Sequence, residues 1–180
     1  GDSTISALDL ATGAVNTVAI PVAPHNVDLT PDGRFLLAVG TPPSDDHGSE
    51  GHGHDRGATG LLVLLDPQDL SKLPVTVALG DHPAHVVPDR NGRAFASLSG
   101  SNEIAVVDLA EGTVVNLKAD ITDLAAFDDS LAVRTKDELL IGSQKDFEGE
   151  KATSLNISAE CGDLSSSESG FVLACPDKVL

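Results

Sequence analysis

The chain has 180 residues, 41% of them hydrophobic, enough to bury a core as one domain or as part of a larger one. Its 28 acidic and 11 basic side chains leave a net charge of −17, which repels phosphate backbones and anionic bilayers; neither nucleic acid binding nor membrane insertion is expected. No apolar run reaches the roughly 18 residues of a transmembrane helix, and the chain opens at Gly1 without methionine, the pattern of a processed or trimmed N-terminus.

The first element is an apolar run, TISALDL (4–10), closed by the turn residues ATG. Its signature ALDLATGAV (7–15) recurs as VVDLAEGTV (106–114), and LLDPQDLSK (64–72) carries the same aspartate. Asp9, Asp66 and Asp108 are therefore equivalent, 57 and 42 residues apart, and each is expected to turn the chain between two strands through side-chain-to-backbone bonds. Next, VAIPVAPHNVDLTPDGRFLLAVG (18–40) aligns without gaps with VALGDHPAHVVPDRNGRAFASLS (77–99), at an offset of 59. Further on, TDLAAFDDSLAVRTKDELL (122–140) matches GDLSSSESGFVLACPDKVL (162–180) at an offset of 40. A period of about 40 residues, built from short β-branched apolar runs between Gly, Asp, Asn and Pro, is the pattern of four-stranded propeller blades. Helical periodicity is absent.

The expected fold is all-β: a β-propeller of four-stranded antiparallel blades, with strands labelled a to d outward from the channel. The first complete blade takes 26–30, 35–39, 60–66 and 74–79. The second takes 85–88, 94–98, 103–108 and 113–117, and the third 121–126, 131–135, 138–142 and 152–157. PDGR and RNGR supply the a–b turns, where Gly gives the positive φ. The chain begins and ends in a strand c, about four blades' worth; we expect 1–180 to be a single propeller domain or a fragment, with half of a larger ring as the leading reading and the other half as a candidate partner.

The offset falls from 59 to 42 between the two signatures, so the first blade carries 17 extra residues, all in the b–c connection TPPSDDHGSEGHGHDRGATG (41–60). Within it, His47, His52 and His54 stand among Asp45, Asp46, Glu50 and Asp55. In an antiparallel blade the b–c loop and the d–a connection emerge at one end. His25, His82 and His85 sit at d–a connections or at the start of strand a, so all six histidines are expected on one face. At about 3.3 Å per residue the loop is long enough to reach the channel mouth. Imidazole with carboxylate suits Zn²⁺, with Ni²⁺ and Cu²⁺ as competitors. The candidate ligands are His25, His47, His52, His54 and His85, with Asp45, Asp46, Asp55 and His82 as secondary ones. The plain alternatives are a solvated acidic tether and ordinary strand-end histidines.

Cys161 is expected at the start of a strand a and Cys175 at the end of the paired strand b, facing each other across SSSESG. That arrangement suits a disulfide and an oxidising compartment; two buried free thiols are the alternative. No nucleophile motif, CxxCH haem site or Gly-rich phosphate loop is present, so no catalytic residue is assigned.

At PHNVDLTPDGRFLLAVG and SNEIAVVDLAEGTVV the chain resembles the YVTN-type β-propellers, which are extracytoplasmic. With GDHPAHVVPDRNGRAFA and the cysteine pattern of 161–180, it is similar to the periplasmic zinc metallochaperones of the AztD type. That resemblance implies a periplasmic or extracellular protein, with a cell-surface lipoprotein as a variant. It also implies zinc delivery to the solute-binding protein of a zinc ABC transporter. His25 and His85 then match strand-start ligands, His47, His52 and His54 a His-rich segment, and Cys161–Cys175 the family disulfide. The chain departs from it at Ser165–Ser167, where His-Gly-Glu is expected, and in the position of the His-rich loop. Competing classes are a propeller enzyme, lactonase-like or a metal-dependent hydrolase, and a protein-interaction scaffold without metal.

Overall fold

The computed structural model describes residues 2–43, 59–118, 121–176 and 178–179. β1 (Thr4–Leu8) and β2 (Val15–Ala19) form a two-stranded sheet. Three four-stranded antiparallel blades follow in chain order. The first is β3 (Ala23–Leu29), β4 (Leu36–Thr41), β5 (Thr59–Leu65) and β6 (Val75–Asp81). The second is β7 (Pro83–Pro88), β8 (Arg93–Leu98), β9 (Glu103–Asp108) and β10 (Val114–Lys118). The third is β11 (Asp123–Phe127), β12 (Ser130–Arg134), β13 (Glu138–Ser143) and β14 (Thr153–Asn156). A three-stranded sheet, β15 (Leu164–Ser167), β16 (Gly170–Cys175) and β17 (Lys178–Val179), ends the described chain. These are the blades of a β-propeller, and their innermost strands β3, β7, β11 and β15 lie side by side.

In the first two blades strands b and c are buried on both faces, which is why they read as unbroken apolar runs such as LLAVG and LLVLL. The residue parity decides which neighbour each side chain meets. Leu37, Val39, Leu62 and Leu64 pack on Val86, Ala96 and Leu98 of the second blade. The alternate residues Ala38, Val63 and Leu65 turn back towards Ile20 and Val22. In the second blade, Ala94, Ala96, Ala105 and Val107 face the first. Phe95, Ile104 and Val106 face Leu124, Leu131 and Val133 of the third. Each blade is thus one layer in a stack.

The turns follow their sequence signals. Asp9 Oδ1 accepts from the amides of Ala11 (2.8 Å) and Thr12 (2.9 Å), and Asp108 Oδ1 from Ala110 (2.8 Å) and Glu111 (3.0 Å). Asp66 Oδ1 accepts from Gln68 at 2.9 Å. Gly33 and Gly92 take φ of 70° and 80° in the a–b turns. One element was not expected: α1 (Gln144–Glu148), a single turn between β13 and β14, held by a Ser143–Asp146 capping box. Five residues are too few to show a helical period.

Cys161 and Cys175 form a disulfide, with Cα atoms 4.1 Å apart. Cys175 ends β16, but Cys161 stands three residues before β15 rather than opening it. The paired ladder starts at Leu164; before it, the Gly162 amide donates to the Ala174 carbonyl at 2.6 Å and the Ala174 amide to the Asp163 carbonyl at 3.3 Å. A disulfide is compatible with an extracellular location. Among the described residues, no helix is long and apolar enough to cross a membrane.

Two stability outcomes follow. Leu98→Ala removes a side chain with no exposed surface and should cost about 2–5 kcal/mol in urea unfolding, while Leu10→Ala, at a residue 92% exposed, should stay within about 0.5 kcal/mol. Replacing Cys161 and Cys175 together by alanine opens a cross-link of sequence separation 14 and should cost about 3 kcal/mol, read from the same unfolding curves.

Candidate functional site

The innermost strands begin with aligned dipeptides: Asn26-Val27 in β3, His85-Val86 in β7, Asp123-Leu124 in β11 and Asp163-Leu164 just before and in β15. Val86, Leu124 and Leu164 are buried in the stack, Val27 is 47% exposed, and Asn26 and Asp123 reach towards the next blade. Asn26 Oδ1 accepts the Val86 amide at 2.9 Å, so the first blade clasps the second. Asp123 Oδ2 accepts the Leu164 amide at 2.9 Å, so the third clasps the fourth. Both contacts satisfy a backbone donor that the strand's own ladder leaves over.

His85 breaks the series. Its ring does not hold the Leu124 amide, which goes instead to Asp123 Oδ1 at 2.8 Å. Nδ1 of His85 lies 3.3 Å from that same Asp123 oxygen. With Nδ1 carrying the proton towards Asp123, Nε2 is left with its lone pair, on a side chain 45% exposed. Asp123 is itself held by two backbone amides and is only 13% exposed, so the imidazole leans on a fixed carboxylate.

The electrostatics follow from this geometry. The contact with Asp123 raises the pKa of His85 above its ordinary value; burial opposes it, and the charges of Asp123 and Asp163 add to the rise. Burial pushes Asp123 upward, but the His85 contact, the Leu164 and Leu124 amides and the His85 charge together hold it below the usual carboxylate range.

The other two described histidines lie at the same end. His25 occupies a β-bulge, where the β3–β4 register shifts between Pro24 and Asn26, and it is exposed. A second bulge, between Pro83 and Val86, contains His85, whose amide is taken by Ser97 Oγ at 3.0 Å. Bulges re-aim side chains at strand ends, and here they fall at both inner-strand histidines. His82 has φ of 50° in the β6–β7 connection and pairs with Asp81, Nδ1 to Oδ1 2.6 Å, at an exposed position.

The b–c connection of the first blade leaves β4 at Thr41, which pairs with Ala23, and rejoins β5 at Thr59, which pairs with Asp81. Both feet therefore stand at the end that carries His25, His82 and His85. Asp45, Asp46, His47, His52, His54 and Asp55 lie outside the described residues. Among the described residues, no three His, Cys, Asp or Glu side chains are grouped closely enough to hold a metal ion. Asn26 and Asp123 were not singled out from the sequence. The signal was there: Asn26 aligns with His85 at the offset of 59, and Asp123 with Asp163 at 40.

An inner ring of strands with clasping polar residues at one mouth defines the class, a β-propeller with its candidate site at the channel end. No protein-family model matches the chain, and no curated protein sequence matches it. Solved structures do. Hydrazine synthase of Kuenenia stuttgartiensis superposes with a TM-score of 0.68 at 18% identity, over 95% of this chain and 49% of that one. A catalytically inactive virginiamycin B lyase from Staphylococcus aureus, crystallised with quinupristin, gives 0.66 at 11%, over 96% and 56%. A streptogramin B lyase gives 0.61 at 10%, over 99% and 72%. At these identities the likeness establishes the fold, and the chain spans about half the length of the first two proteins.

The His85–Asp123 contact has a signed pH dependence. A raised histidine pKa contributes stability that is present at low pH and lost as pH rises through the folded His85 value. The lowered Asp123 pKa contributes stability that is present above the ordinary carboxylate range and lost as pH falls through the folded value. The two overlap between those titrations, and there Asp123→Asn should be most destabilising. In an NMR titration of the imidazole, the same variant should bring the His85 midpoint down; an unmoved midpoint would mean that the pair does not form.

Proposed function

We propose that this chain is a zinc-binding propeller face that captures the ion and passes it to a protein acceptor. The observation that carries the reading is the carboxylate-oriented imidazole of His85, placed at the end from which a loop bearing three histidines leaves and returns. Metal-ligating histidines characteristically give their second ring nitrogen to a carboxylate, which fixes the ring and raises its basicity. His85 and Asp123 have that relation, with Nε2 free to bind. The described residues do not complete a coordination sphere, so the remaining donors in this reading come from His47, His52 and His54, with His25 as a further one and Asp45, Asp46, Asp55 and His82 as secondary ones.

Zinc here is cargo. Neutral imidazoles bind it, so each ligand must shed its proton first, and a basic His85 makes the ion compete with a proton for Nε2. A loop donating several histidines on glycine-rich backbone suits release by stepwise exchange, one ligand being replaced at a time. The acceptor in this reading is the solute-binding protein of a zinc ABC transporter, on the strength of the resemblance at PHNVDLTPDG and GDHPAHVV, and the location is the periplasm or cell exterior.

The same oriented imidazole is also the arrangement of a general base, and the structural neighbours include lyases. That second reading takes an ester or lactone as substrate. Turnover of such a panel that persists in chelator and vanishes in His85→Ala would establish it over metal delivery.

The primary test is a competitive Zn²⁺ titration at neutral pH. Deleting residues 45–55 should weaken binding at least tenfold, His85→Ala should weaken it less, and binding should be lost by about pH 5.5 as imidazoles protonate. Binding that ignores pH would rule out histidine ligation.

A further inference from the structure

The end of the stack opposite the histidines carries the turns that join strands a and b. In the second blade this turn is Asp89-Arg90-Asn91-Gly92-Arg93, and it meets Asp128 and Asp129 in the corresponding turn of the third. Asn91 Nδ2 donates to Asp129 Oδ1 at 2.6 Å, and Arg93 Nη2 stands 3.7 Å from the same oxygen. The first blade has Asp32-Gly33 at the aligned positions, 59 residues earlier, and no other asparagine of the chain precedes glycine.

The two turns differ at the glycine amide. Gly33 donates its amide to the Thr30 carbonyl at 2.8 Å, and Asp32 Oδ1 accepts from Thr30 Oγ1 at 2.7 Å and from the Arg34 amide at 3.0 Å. In the second turn Asp89 Oδ1 takes the amides of Asn91 (2.8 Å) and Arg93 (2.9 Å), and the Gly92 amide between them has no acceptor among the described residues. Gly92 has φ of 80°, and apart from its chain neighbours no atom lies within 4 Å of where a side chain would begin. Asn91 and Gly92 are both exposed. A carboxamide therefore stands beside an unbonded, unshielded backbone nitrogen in open solvent.

We propose that Asn91 is a site of spontaneous deamidation, held in check by Asp129. The Gly92 nitrogen, its proton taken by hydroxide, attacks Asn91 Cγ; the new C–N bond forms, Cγ–Nδ2 breaks, and the side-chain nitrogen leaves as ammonia. Water then opens the succinimide, at the Cγ carbonyl to give aspartate or at the main-chain carbonyl to give isoaspartate, so no oxidant or cofactor is consumed. Glycine lets this ring close because it has no Cβ to crowd the attacking nitrogen. While Nδ2 is bonded to Asp129 the carboxamide is not free to turn, and the nearby negative charge opposes loss of the Gly92 proton. Either product sets a carboxylate against Asp129 where a donor stood, so the bond between the second and third blades is lost. The site uses none of the histidines and is independent of the zinc reading.

The experiment incubates the intact chain in mildly alkaline buffer and follows it by mass spectrometry, with fragmentation to place each gain of about 1 Da. The gain should appear at Asn91 ahead of every other asparagine, and Asn91→Gln should abolish it there. Asp129→Ala should speed the reaction about twofold to tenfold, the factor that one hydrogen bond holds closed. A reaction driven by the Asn-Gly sequence alone would not respond to residue 129. Asn91→Asp stands for the product and should unfold at a lower urea concentration than the unmodified chain. No gain at Asn91, an equal gain at other asparagines, an unchanged rate in Asp129→Ala or an unmoved urea midpoint in Asn91→Asp would each overturn the proposal. Should Asp129→Ala fail to fold, the unmodified chain is compared folded and in urea. Asn91 must react more slowly when folded, and equal rates would be just as decisive against it.

Discussion

The stack depends on strands b and c of the first two blades being buried on both sides. A sheet that faces water on one side tolerates alternation of polar and apolar residues; these sheets do not. Leu37 and Val39 serve one neighbour while Ala38 serves the other, and Phe95, Ile104 and Val106 look one way while Ala94, Ala96 and Ala105 look back. Because successive layers interlock through such alternate residues, a change on one face is felt by the adjoining blade. The ends of the strands are exempt. There the sequence is free to vary in length and chemistry, and there the 17-residue excess of the first blade has been accommodated.

The inner strands answer a different demand. Their outer neighbours cover one edge, but the edge towards the channel has no ladder partner, so amides at the strand starts need acceptors. Asn26 and Asp123 supply them from the preceding blade, at 2.9 Å in both cases. An amide or a carboxylate does this well because each offers an oxygen on a short stem. Histidine does it poorly, and at His85 the Leu124 amide is taken over by Asp123 itself. The repeat thus shows what the position ordinarily does, and by contrast what His85 gives up: a structural bond is exchanged for a half-exposed imidazole whose Nδ1 turns to Asp123. The proposed metal site rests on that exchange.

The blades were legible from the sequence for the same reason that they are stable. Two-sided burial writes long apolar runs, the turns between them need Gly, Asp and Asn, and repetition of the whole unit gives the offsets of 59 and 40. Observed strand limits fall within a few residues of those read from the sequence. Single features without a repeat behind them were harder. The turn of helix at Gln144–Glu148 rests on one capping box, and the displacement of Cys161 from β15 rests on main-chain geometry at Gly162 and Asp163. In the candidate site, sequence placed His25, His82 and His85 at one end, which strand polarity dictates. It did not pair His85 with Asp123, because that contact joins residues 38 apart through the stacking of blades rather than through any local pattern.

Net charge alone does not choose a ligand for this channel. At physiological ionic strength the Debye length is about 8 Å, so most of the −17 is screened from any one point. What acts on a molecule in the channel is the handful of carboxylates within that radius. Asp123 and Asp163 bear on His85 at the mouth. At the mouth a carboxylate is spent on orienting an imidazole, and the proposed zinc site draws on that orientation.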